Sequence, residues 1–149
     1  MTCYNQTMKI LAVIIAIVAA FVIGNYVYTS QVCGVECQVG DMLPTITSIS
    51  ATEFNQQVQA DEATLIDIRT AEEYTQGHVV SAVNQDFYQT VAFSSYLDSL
   101  DKDASYLIYC RSGNRSGQAL EIMRQKGFTH VSDLSGGITA WQSAGYSLE

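Results

Sequence analysis

Basic residues are scarce in this chain: seven lysines and arginines stand against fifteen aspartates and glutamates. The whole formal charge of −8 lies beyond residue 40, where six basic residues meet fourteen acidic ones. Such a surface disfavours nucleic acid and anionic lipid. Histidine occurs only at positions 78 and 130, so the cysteine pair Cys33 and Cys37 lacks the four ligands that a structural zinc needs. Proline occurs once, at Pro44, inside a stretch from Gln38 to Ser48 that reads as a linker. No internal repeat or low-complexity tract is present. The residues Ser30-Gln31-Val32 before Cys33 do not form a lipobox, which excludes a lipoprotein.

There is one long apolar run. Ile10 to Ile23 is unbroken, and Gly24 to Tyr28 extends it. Counted to Tyr28, it reaches the roughly 17–25 residues that span a bilayer, with tyrosines at the interface end. Lys9 is the only charge before it, whereas Glu36 and Asp41 follow it. That asymmetry favours an N-terminus inside and a domain outside. The expected organisation is a short cytoplasmic segment (1–9), a transmembrane helix or signal anchor (10–28), a linker carrying Cys33 and Cys37 (29–48) and a domain (49–149). The expected location is a bacterial inner membrane, as a single-pass protein with its domain facing the periplasm. The alternative is a signal peptide cut near Val22-Ile23-Gly24 and release to the periplasm. In that oxidising space Cys33 and Cys37 are incidental juxtamembrane cysteines, close a small structural disulfide, or stay as thiols that pass sulfur or electrons.

The most telling stretch is Cys110-Arg111-Ser112-Gly113-Asn114-Arg115-Ser116. It follows a short apolar run, Tyr106 to Tyr109, and precedes a helix-like pattern with Ala119, Leu120, Ile122 and Met123 on or near one face. A cysteine at a strand end, followed by a tight loop and a helix start, makes an anion cradle. Loop N–H groups and the positive helix end stabilise a thiolate, so the thiol should ionise well below the roughly 8.5 of a free cysteine. Cys110 is thus the expected nucleophile.

The surrounding pattern is periodic. Ser50 to Glu53 and Thr70 to Glu73 both have the form of a capping box, predicting helices from Ser50 to about Gln59 and from Thr70 to near Gly77. Strands are predicted at Leu65–Ile68, near Ala82–Asn84, at Tyr106–Tyr109 and at His130–Leu134. Further helices are predicted at about Thr90–Leu100, Ser116–Lys126 and Thr139–Ala144. Alternating strands and helices imply a parallel sheet covered on both faces, with ligands bound off the carboxyl ends of the strands.

Three segments in register resemble a rhodanese (sulfurtransferase) domain. They are Leu65 to Arg69 with Glu72-Glu73-Tyr74 and Gly77-His78-Val79; Cys110 to Ser116; and Leu134-Ser135-Gly136-Gly137-Ile138-Thr139-Ala140-Trp141. Where the family often has Gly-Ala after the Gly-His segment, this chain has Ser81-Ala82. The resemblance implies an α/β fold with a parallel sheet of about five strands. It also implies an enzyme that moves sulfane sulfur from a donor such as thiosulfate to cyanide or a thiol. Cys110 would carry a persulfide, with no metal or organic cofactor. The alternative is a sulfur- or redox-relay module that works with a partner protein rather than turning over. Rhodanese-like phosphatases and arsenate reductases resemble this fold too, but have five residues between cysteine and arginine rather than the four found here.

Within the loop, residues 111–116 line the site through their N–H groups. Arg111 is expected to recognise the anionic donor, and Gly113 to need a positive φ. Arg115 is expected to fix the loop by pairing with Asp67 or Glu73. Asp67 and Arg69 read as structural support, with Arg69 placed to meet Glu73. His78 reads as a hydrogen-bonded turn residue, His130 as incidental, and Tyr106, Tyr109 and Trp141 as packing.

Overall fold

The computed structural model describes residues 44–149. Five strands, β1 (Thr45–Ile49), β2 (Thr64–Asp67), β3 (Val83–Asn84), β4 (Ser105–Tyr109) and β5 (His130–Leu134), alternate with five helices. The helices are α1 (Ala51–Ala60), α2 (Ala71–Thr75), α3 (Thr90–Ser99), α4 (Asn114–Gln125) and α5 (Gly137–Ser143). The strands form one parallel sheet in the order β1-β5-β4-β2-β3. Period-two alternation splits β4 between two cores. Tyr106 and Ile108 pack with Phe93, Leu97 and Met123 under α3 and α4. Leu107 and Tyr109 pack with Phe54, Ile138 and Trp141 under α1 and α5. The expected α/β sheet with helices on both faces is therefore present.

Both capping boxes form as read. The Ser50 and Thr70 side chains accept from the Glu53 and Glu73 N–H groups, and each carboxylate reaches back to its cap's N–H. Other boundaries are corrected. The linker reading of Gln38–Ser48 fails over its described end, because Thr45–Ile49 is edge strand β1 paired with β5. Helix α4 begins at Asn114 rather than Ser116, because Gly113 at φ 88° serves as its N-cap. Helix α5 begins at Gly137 rather than Thr139, capped by Gly136 at φ 77°.

Among the described residues no helix is long and apolar enough to cross a membrane. The expected segments 1–9 and 10–28, and the linker portion holding Cys33 and Cys37, lie outside the described residues.

Candidate active site

Strand β4 lies between β5 and β2, and its end delivers Cys110 to the carboxyl edge of the sheet. The chain then turns through Arg111 and Ser112 into Gly113 and helix α4. Gly113 N–H donates to Cys110 Sγ at 3.1 Å, and the Ser116 hydroxyl donates to it at 3.4 Å. Burial pushes the thiol pKa up. The Ser116 hydroxyl and the N–H groups of Ser116, Ser112 and Gly113 push it down and win, so the thiol ionises below the range of an ordinary cysteine. Cys110 is 1% exposed, so only a small nucleophile or electrophile reaches the sulfur.

The N–H groups face inward because the loop carbonyls are held from behind. Ile138 N–H donates to Cys110 O at 2.8 Å and Thr139 N–H to Arg111 O at 3.2 Å. The Thr139 hydroxyl adds a bond to Arg111 O at 2.9 Å. The first turn of α5 thus spends its free N–H groups on the active loop. This is the structural work of the Gly136-Gly137 pair, which sequence reading had assigned only to the resemblance.

The arginines divide the labour. Arg115 makes two bonds to Glu73, Nη1 to Oε2 at 2.7 Å and Nη2 to Oε1 at 2.9 Å, and its guanidinium lies 5.3 Å from the Tyr88 ring centre. This is the carboxylate pairing expected of Arg115. Arg69 instead turns back on Asp67, with Nη2 at 2.6 Å from Oδ2 and Nε at 2.9 Å, and donates to Gly77 O at 2.8 Å. The expected Arg69–Glu73 pair is therefore corrected, since Glu73 is committed to the Thr70 N–H and to Arg115. Asp67 and Arg69 are buried, 0% and 6% exposed, and paired with each other. Arg111 is exposed, and its guanidinium has no hydrogen-bond or ion-pair partner among the described residues. It borders a pocket of about 260 Å³ shared with Thr139 and Gln142. A larger cavity, about 610 Å³, is lined by Val58, Leu65 and Val83, none of them a candidate site residue.

His78 and Trp141 sit as expected, one hydrogen-bonded and one buried. His78 stacks on Tyr74 at 3.7 Å and bonds Tyr74 O through Nδ1. Trp141 is buried with its Nε1 donating to Ser147 O. Among the described residues no cluster of side chains suited to a metal ion is present. Sequence reading missed Asp133, a buried acid behind Ser116, and its partner Ser48.

The rhodanese-like domain family model matches residues 50–144. The chain belongs to the rhodanese-like domain family. It is 33% identical over 104 residues to a protein named sulfurtransferase from Allochromatium vinosum, covering 69% of this chain and 94% of that one. It is 34% identical over 98 residues to the putative sulfurtransferase YtwF of Bacillus subtilis, covering 65% and 91%. Among solved structures, a rhodanese-related protein from Thermoplasma volcanium superposes with a TM-score of 0.61 at 27% identity, covering 69% and 97%.

Proposed function

We propose that this rhodanese-like domain is a sulfurtransferase that moves a sulfane sulfur from an anionic donor such as thiosulfate to cyanide or a thiol through a persulfide on Cys110. The observation that carries this reading is the Cys110 sulfur held by the Gly113 N–H and the Ser116 hydroxyl, with its pKa lowered despite burial. The thiolate attacks the outer sulfur of thiosulfate. A Cys110 S–S bond forms, the donor S–S bond breaks, and sulfite leaves with the bonding pair. The acceptor then attacks the terminal sulfur, and the electron pair returns to Cys110 as thiolate. The negative charge remains among the same N–H donors in both halves of the cycle, so no separate base is needed. The Arg111 guanidinium at the rim, without a partner among the described residues, supplies the charge that draws an anion toward an otherwise acidic protein.

Two features favour sulfur over phosphate. The loop is four residues long between Cys110 and Arg115. The two terminal nitrogens of Arg115 are both taken by Glu73, which leaves no bidentate fork for a tetrahedral oxyanion.

The test uses the purified full chain with thiosulfate and cyanide. Thiocyanate should form, and the Cys110 peptide should gain the mass of one sulfur. Cys110→Ser should lose both, with activity down at least about a thousandfold. Turnover that survives Cys110→Ser overturns the proposal. Persulfide without turnover supports the relay module instead, and hydrolysis of an aryl phosphate would favour a phosphatase. Residues 10–28 are proposed as the anchor that presents this domain to the periplasm. Protease added to spheroplasts should then degrade the domain, and full protection would refute the placement.

A further inference from the structure

Between α2 and α5 lies the pocket of about 260 Å³ that Arg111 borders. Its wall is continuous with the reactive loop, because Ile138 and Thr139 line it and bond the carbonyls of Cys110 and Arg111. Cys110 itself does not line it, so the pocket suits the part of a substrate that does not react. Arg69 lines it too, with a side chain only 7% exposed. Its Nε and Nη2 are spent on Asp67 and on Gly77 O. Its Nη1 makes no hydrogen bond among the described residues, where the one fully buried side-chain atom without a partner is an oxygen of Asp133. Nη1 therefore keeps contact with solvent, and its two N–H groups are free to donate to a ligand.

Local charge favours an anion. Arg69 is matched by Asp67 and Arg115 by Glu73, which leaves the Arg111 guanidinium in excess beside the pocket. Gln76 after α2 and Gln142 on α5 add side-chain amides that make no hydrogen bond among the described residues. Ile138 and Leu148 supply apolar surface. Unspent donors beside an aliphatic wall match a short carbon chain ending in a carboxylate, whose two oxygens suit guanidinium N–H groups. The volume is several times a water's share of about 30 Å³, more room than cyanide needs. We propose that this pocket is the subsite for the carboxylate of a small thiol acceptor, held by Arg69 Nη1 and Arg111. The acceptor's identity rests on the reading of the protein as a sulfurtransferase. In that cycle sulfite leaves before the acceptor enters, so Arg111 serves donor and acceptor in turn. The acceptor thiolate attacks the terminal sulfur of the Cys110 persulfide. A new S–S bond forms on the acceptor, the Cys110 S–S bond breaks, and its electron pair stays on Cys110. The acceptor leaves as a persulfide with its carboxylate unchanged.

Two measurements on the purified full chain test this. The first needs no turnover. Nitrogen-15 arginine labelling gives guanidinium signals from four residues, Arg69, Arg111, Arg115 and Arg124. At constant ionic strength, propionate should shift those of Arg69 and Arg111 saturably. Arg124, paired with Glu121, should stay in place, and propionamide should shift none. No saturable shift at Arg69, or an equal shift with propionamide, overturns the proposal. The second compares 3-mercaptopropionate with its methyl ester as acceptors of thiosulfate sulfur, with rates expressed per thiolate. Without a subsite, an acidic protein favours the neutral ester. The acid should instead show a KM about tenfold lower, as expected of a hydrogen-bonded charge. Gln142→Glu, at an exposed position, puts a carboxylate in the pocket wall and should erase or reverse that preference. An ester preferred by wild type, or a preference for the acid untouched by Gln142→Glu, overturns the proposal. Arg69 shifts caused by thiosulfate but not by propionate assign the pocket to the donor and overturn it as well. If neither thiol nor cyanide takes up sulfur, the sulfurtransferase reading fails, and propionate shifts at Arg69 and Arg111 leave the carboxylate site standing.

Discussion

Gly137 is the residue at which the last helix touches the reactive loop. A Cβ there would stand 2.5 Å from Cys110 O and 2.6 Å from both the C and O of Arg111, at φ +60°. All three neighbours are backbone, so nothing can rotate aside, and the clash falls on the carbonyls that α5 holds. Gly137→Ala should destabilise the fold by about 2–4 kcal/mol and slow Cys110 alkylation, because the N–H groups facing sulfur turn with those carbonyls. Unchanged stability by urea denaturation would refute this account. Ser81 makes the opposite case. It is a non-glycine residue at φ 67°, where the family often has glycine. It is exposed, its hydroxyl makes no hydrogen bond among the described residues, and its backbone N–H donates to Glu149 Oε1. Ser81→Gly removes left-handed strain without removing a contact and should stabilise by about 0.5–1 kcal/mol. A midpoint that falls instead would show that the hydroxyl has a role.

Between elements, one carboxylate ties two helix starts together. Glu73 caps α2 by accepting from Thr70 N–H at 3.1 Å and receives both terminal nitrogens of Arg115 from the first turn of α4. Their side chains are only 24% and 11% exposed, so solvent screens the pair weakly. A double-mutant cycle of Glu73→Gln with Arg115→Lys should return a coupling of about 1–2 kcal/mol, above the usual surface pair. A coupling near zero would make the pair a bystander. The halves of this device differ in how far the sequence reveals them. The capping boxes were legible because hydroxyl and carboxylate sit three residues apart and need no distant partner. The strand-loop-helix around Cys110 was legible for the same reason. Strand β1 was not: Thr45–Ile49 is polar and half exposed, and only pairing with β5 makes it a strand. Arg69 and Glu73 look paired by their spacing of four, yet Arg69 lies before the helix and folds back on Asp67. Asp133 carried no local signal, because its partner Ser48 is 85 residues away.

For the whole molecule, two carboxyls at the site pull the pH dependence of stability in opposite directions. Hydrogen bonding from Arg115 takes Glu73 from its ordinary 4.5 down to about 2. Between those values the folded chain binds fewer protons than the unfolded one, so stability climbs as pH rises through the window and is lost as pH falls through about 2. Asp133 is raised above its ordinary 3.8 by burial. The folded chain there holds a proton the unfolded chain has released, so stability declines as pH rises from 3.8 toward the folded value. Exposed Glu53, Glu72, Asp98 and Glu121 are lowered by hydrogen bonds and act with Glu73, but salt screens them. Urea unfolding across pH separates the contributions. The gap between wild type and Glu73→Gln should be full above 4.5 and close toward zero as pH falls through about 2. The gap between wild type and Asp133→Asn should widen in favour of the variant as pH rises, because only wild type must place a charge there. Added salt should leave both gaps nearly intact while flattening the remaining acid dependence. A Glu73→Gln gap that stays constant with pH would mean the carboxylate acts by shape and not by charge, and the ion pair would then not be what holds the loop.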